Sequence, residues 1–262
     1  MEAGEDHEVA VCVAALELLA ARRRGGAVEI LDRPDRRERQ QQAVDLIARD
    51  RVGEFAVEHT GLDSFPGQRD EGAWLEQALV PVEAELSGTL GTAGTFRLVV
   101  PHGALRGMPR RARALVVGRV RDWISTTAPT LQIGSPATVP AHSATAPAEL
   151  GGLVLQRWPG PTDSRLIVSR SQPDELEALR QLVAATALER KAPKLEQARQ
   201  GRRTTVLVLE IWDVALANAG GVAAAVKEAC GQFSVPLPDV IVQVDTTGAP
   251  WTPEVVWEQE AI

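Results

Sequence analysis

Between residues 8 and 24 apolar positions recur every three or four residues. Val9, Cys12, Val13, Leu16, Leu19 and Ala20 form one stripe, and Gly25-Gly26 ends it. That spacing predicts an amphipathic helix. A short apolar run at 27–31 reads as a strand. Two further runs, 43–47 and 54–60, are separated by the polar turn at 49–53 and predict an antiparallel hairpin. Centring the pairing on that turn sets position 45 opposite position 58. Later the period alternates: helix at 173–192, strand at 204–210, helix at 214–231, strand at 239–245. Strands separated by helices of this length predict a mainly parallel continuation of the sheet with right-handed crossovers.

Residues 61–172 read as an insertion into this order. Helices are expected at 71–86 and 110–124, a strand at 96–100 and a strand pair at 153–155 and 166–168, with an exposed linker at 134–148 rich in Ala, Pro, Ser and Thr. No internal repeat is visible. The predicted fold is α/β, a mixed central sheet flanked by helices and carrying a large insertion. Its parts are 1–60, 61–172 and 173–262.

Composition narrows the class. The 262 residues are 44% hydrophobic, enough for a sizeable core. No stretch approaches the ~20 apolar residues of a membrane span, and the acidic start is unlike a signal peptide, so a cytoplasmic protein without membrane contact is expected. Cys12 and Cys230 lie in apolar helical patterns and are expected in the core. With the scattered His7, His59, His102 and His142 they make no zinc site. The net charge of −7 excludes a global basic field. Local charge differs: residues 22–51 hold nine Arg against six acids, and residues 102–127 hold six Arg against one.

The hairpin carries the most specific chemistry. Directly opposed carboxylates at Asp45 and Glu58 repel unless a positive group lies between them, and a divalent cation would relieve the conflict. Apolar neighbours Leu46, Ile47, Phe55, Ala56 and Val57 predict that both hairpin faces are covered, and buried carboxylates need partners. The competing reading is a solvated edge hairpin whose acids prevent aggregation. Glu58 and Thr60 share a strand face, while His59 points the other way.

This arrangement resembles the restriction-endonuclease-like PD-(D/E)XK superfamily, in which an Asp on one strand and an Asp or Glu on the next bind Mg²⁺. The resemblance covers about half the chain, in two pieces, and sets Asp45 and Glu58 on the two acids. Val44 stands where that superfamily often has Pro, and Thr60 stands in place of the motif lysine. Thr60 can orient a water but supplies no charge. Only three lysines exist, Lys191, Lys194 and Lys227. Related nucleases move the positive group to a neighbouring helix, which makes Lys191 and Lys194 the candidates. Alternatively, Pro193 opens a second short helix and leaves both lysines in solvent. A helix glutamate completes the metal shell in some members, which nominates Glu17, although a flanking Glu on an amphipathic helix is often merely solvated.

Other constellations are weaker. Arg106, Arg110, Arg111, Arg113, Arg119 and Arg121 are the best phosphate-contacting set, with Arg110, Arg111 and Arg113 at its centre. Glu210 and Asp213 end a buried-looking strand where ligand sites gather in α/β sheets, though Asp213 is expected to cap the next helix. Gly88, Gly91 and Gly94 precede a strand and make no nucleotide loop. The six Trp are dispersed, there is no Tyr, and packing is the expected role. His102, Ser64 and Ser125 form no triad. The resemblance implies a Mg²⁺- or Mn²⁺-dependent phosphodiesterase acting on nucleic acid, DNA before RNA. Its rivals are an inactive module of the same fold that binds nucleic acid or, through the insertion, a protein partner, and an unrelated enzyme centred on Glu210 and Asp213.

Overall fold

The computed structural model describes residues 3–37, 43–104, 106–138, 151–199, 202–213, 218–234 and 236–259. The chain divides into two compact units: Met1–Pro66 with Glu175–Ile262, and Gly67–Asp174. The second unit therefore runs from 67 to 174, where the sequence reading set the insertion at 61 to 172. The protein is α/β with two mixed sheets, one per unit, instead of the single central sheet expected.

The first unit comprises α1 (Ala3–Arg22), β1 (Glu29–Asp32), the short α2 (Pro34–Arg37), β2 (Leu46–Arg49), β3 (Glu54–Gly61), α5 (Leu176–Arg199), β8 (Thr204–Ile211), α6 (Ala219–Gln232), β9 (Val240–Asp245) and β10 (Thr252–Glu258). Its strands lie in the order β1-β2-β3-β8-β9-β10. The first three are antiparallel neighbours, β3, β8 and β9 run parallel, and β10 returns antiparallel. β8 is buried from its second residue to its last, as an apolar parallel strand covered on both faces must be. One face packs Val11, Cys12, Leu16 and Leu19 of α1 on Phe55, Val57, Val206 and Val208. The other packs Ala184, Leu188 and Leu195 of α5, with α6, on Ile47, Ala56, Leu207 and Leu209.

Local chemistry explains the hairpin. Asp50 closes its turn by accepting from the amides of Val52 (2.7 Å) and Gly53 (3.0 Å) and from two nitrogens of Arg23 (2.8 and 2.7 Å). The guanidinium holds the Asp50 carboxyl below its usual range against the effect of burial.

Two expectations about elements are corrected. α5 continues through Pro193 to Arg199, seven residues past its predicted end. Packed Leu188, Ala192 and Leu195 hold the helix where proline removes one amide bond. The cap of α6 is Asn218, whose side chain accepts from the Gly221 amide at 2.8 Å, and not Asp213. β10 had no expectation at all.

The second unit holds α3 (Gln68–Leu86), β4 (Gly94–Val100), α4 (Arg110–Thr127), a 3₁₀ turn, β5 (Pro136–Thr138), β6 (Val154–Trp158) and β7 (Ser164–Arg170). The expected partners β6 and β7 do not pair with each other. Both flank β4, β6 antiparallel and β7 parallel, giving the order β5-β6-β4-β7. Residues of α3 and α4 pack on Phe96, Leu98, Leu155 and Leu166, all on one face. Most of the predicted linker, 139–148, lies outside the described residues, and its first part contains β5. No described helix is long and apolar enough to cross a membrane.

Candidate functional site

The hairpin register runs Leu46↔Val57, Ile47↔Ala56, Ala48↔Phe55, Arg49↔Glu54, and one further step sets Asp45 opposite Glu58. Asp45 precedes β2. Its carboxylate accepts from the His59 backbone N–H at 2.7 Å, which fixes it at the open end of the hairpin. Ala56 and Glu58 alternate with Phe55 and Val57, so Glu58 faces α5, where it is fully buried.

α5 supplies the positive partners. Residues 184, 188, 191 and 195 fall on one helical stripe, with Ala184, Leu188 and Leu195 in the core and Lys191 among them. Its ammonium contacts Glu58 Oε2 and lies 3.4 Å from Asp45 Oδ2. Lys194 Nζ lies 3.3 Å from Glu58 Oε1. This corrects the reading in which Pro193 separates the lysines from the core. The positive groups that relieve the two acids are thus ammonium groups of α5.

The charge balance is uneven. Burial, then the Asp45 charge, push the Glu58 carboxyl up to about 7 against the pull of Lys191 and Lys194. Burial alone would lower Lys191, yet Glu58 and Asp45 raise it above its ordinary value. One of the Glu58 oxygens, Oε1, is buried and accepts no hydrogen bond, the Lys194 ammonium being an ionic neighbour only. Two carboxylates that share the Lys191 ammonium are hard oxygen ligands of the kind Mg²⁺ or Mn²⁺ takes, with water and phosphate filling the rest of the shell, once that ammonium has moved aside. The pair does not fit zinc, and among the described residues no group of three or more His, Cys, Asp or Glu is arranged to hold a metal ion.

The remaining predicted residues are placed differently. Thr60 shares the Glu58 face, but its hydroxyl donates to Gly61 O at 3.5 Å. Glu17 is exposed on α1, nine residues from Glu8 and so half a rotation away. Glu8 is the α1 glutamate that approaches β3, 3.4 Å from His59 Nδ1, so Glu17 is not brought to the acids. In the second unit Arg110 and Arg111 are exposed at the start of α4. Arg113 is half-buried: its guanidinium stacks 3.4 Å over the Trp74 ring and donates to Met108 O.

A second polar cluster, of which the sequence singled out Glu210 but not its partners, occupies the α1 face. Glu210 at the end of β8 is buried and accepts from His7 Nε2 (2.6 Å), His59 Nε2 (3.1 Å) and the Thr246 hydroxyl (2.9 Å). Burial opposes its ionisation, but His59, His7 and Thr246 hold its pKa down to about 2. Strand parity put His59 on this face, whereas no local pattern joins His7 to Glu210. Among known proteins, no protein-family model matches the chain, and no curated protein or solved structure does so either.

Proposed function

We propose that the chain is a divergent protein of the restriction-endonuclease-like type that hydrolyses phosphodiester bonds in nucleic acid with Mg²⁺ or Mn²⁺. The observation that carries this reading is the convergence of two of the three lysines in the chain on Asp45 and Glu58. The order helix, three antiparallel strands, helix and parallel strand, α1-β1-β2-β3-α5-β8, supports it.

In this reading Asp45 and Glu58 hold the cation, which would polarise the phosphate and lower the pKa of an attacking water. The His59 amide orients Asp45. Lys191, released from Glu58, offsets charge on the reacting phosphate oxygens, the part a motif lysine at position 60 would play. Lys194 favours the ionised form of Glu58 without outweighing its burial and the Asp45 charge.

A second reading, a binding module without catalysis, is favoured by one specific feature: the acids are already neutralised by Lys191 and Lys194, so the fold needs no cation. Cleavage of single- and double-stranded DNA and RNA at saturating Mg²⁺ separates the two. The hydrolytic reading expects turnover to fall about a hundredfold in Lys191→Ala while Mn²⁺ affinity changes far less. Inert wild type together with activity gained in Thr60→Lys would establish the binding module.

A further inference from the structure

We propose that the open face of the second sheet, centred on Trp158, is a platform for single-stranded nucleic acid. The helices of this unit pack on one side of the sheet, over Phe96, Leu98, Leu155 and Leu166. Side chains at alternate positions of β4, β6 and β7 therefore point away from them, and none belongs to a buried cluster. The register assembles them into rows. Thr95 pairs with Trp158 on one side and Arg165 on the other, and Arg97 lies next along β4 beside Ile167. Trp158 and Arg165 are thus two strand spacings apart, about 10 Å, with Arg97 one pleat repeat further along.

Three properties of this face point to one occupant. Trp158 is 51% exposed, an unusual position for the largest apolar side chain, and its ring offers the flat surface on which bases of any identity stack. Arg97 and Arg165 are exposed, and neither makes an ion pair among the described residues; Arg97 is oriented by a hydrogen bond to Ser169 Oγ at 3.0 Å. No Asp or Glu stands at any outward position of the four strands. In a chain of net charge −7, a face that is only positive and carries an exposed ring complements a polyanion with unpaired bases. A duplex hides its base faces and would leave the indole without a partner. Val99 and Ile167, half-buried beside the arginines, give a shallow apolar floor on which a sugar can lie.

The platform works without Asp45 and Glu58, so its test runs in EDTA, where metal-dependent cleavage is silent. Fluorescence anisotropy of a labelled oligothymidylate with the full chain is expected to show binding that Trp158→Ala weakens about ten- to a hundredfold and Trp158→Phe largely keeps. Trp158 is half exposed, so its removal leaves no core cavity, and far-UV circular dichroism checks that the variants fold. The paired change Arg97→Gln with Arg165→Gln is expected to lower the slope of log affinity against log salt by about 1.4, two single-strand phosphate contacts. Four outcomes would each overturn the proposal: no binding by wild type, wild-type affinity in Trp158→Ala, a duplex of the same length bound as tightly as the single strand, or concentration-dependent self-association abolished by Trp158→Ala, which would give the face to a second copy of the chain.

Discussion

Two glutamates on neighbouring strands of one sheet, Glu58 on β3 and Glu210 on β8, are both buried, and their environments drive them in opposite directions. Glu58 faces α5 and has a second carboxylate, Asp45, across the hairpin; burial and that charge raise it to about 7 despite two lysines. Glu210 faces α1 among donors only, two imidazoles and a hydroxyl, and falls to about 2. Burial is common to both, so the neighbour decides the sign. Glu210 has a contact on each oxygen and is a closed structural clamp tying the start of α1 to the end of β8. Glu58 also has a neighbour on each oxygen, Lys191 on Oε2 and Lys194 on Oε1, but it shares them with a like charge, Asp45, and a metal cation would take the place of an ammonium there.

The largest effect that would break this contrast is in stability. Glu210→Ala strips a partner from buried His59, half-buried Thr246 and exposed His7 and is expected to cost about 3 kcal/mol in urea unfolding at pH 7. Loss of less than about 1 kcal/mol would show that the clamp is not structural.

Opposite pH slopes come next. Glu58 has a raised pKa, so the folded chain keeps a proton that the unfolded chain has lost; its contribution falls as pH rises from about 4.5 to about 7. Glu210 has a depressed pKa, so its contribution is present above about 4.5 and is lost as pH falls toward about 2. Each shift corresponds to about 3 kcal/mol. Stability of wild type minus Glu58→Gln should therefore fall as pH rises through the upper window, and that of wild type minus Glu210→Gln should fall as pH drops through the lower one. Equal profiles for the two variants would erase the distinction drawn between the faces.

The hairpin half of this contrast was legible in the sequence because it is local. A turn of fixed length and a side-chain period of two set Asp45 against Glu58 and separated Glu58 from His59, and the scarcity of lysine narrowed the cationic partner to Lys191 and Lys194. What depended on distant packing was not legible. Nothing in 184–199 shows that core leucines carry α5 through Pro193. Likewise, the apolar stripe of α1 allowed Glu17 as readily as Glu8, until docking on β3 chose the rotation. The second sheet was hidden because β4 pairs in parallel with a strand 70 residues later, Gly94 with Ser164, and only that register shows Trp158 facing outward.

A smaller effect sharpens the picture of the second unit. Arg113→Ala loses the stack on Trp74 and is expected to lower its stability by about 1 kcal/mol, whereas Arg110→Ala and Arg111→Ala should leave it unchanged. Hydrogen exchange of α3 and α4 reads the difference. Equal protection in all three variants would show that the stack on Trp74 does not stabilise the unit.

The central claim is that Glu58 and Asp45, and not Glu210, form the site that accepts a cation. Isothermal titration of Mn²⁺ at pH 8, where Glu58 is ionised, tests it most directly in wild type, Asp45→Asn, Glu58→Gln and Glu210→Gln. One site is expected in wild type and in folded Glu210→Gln, and none in the two hairpin variants. Binding that survives both Asp45→Asn and Glu58→Gln, or no binding by wild type, would contradict the account.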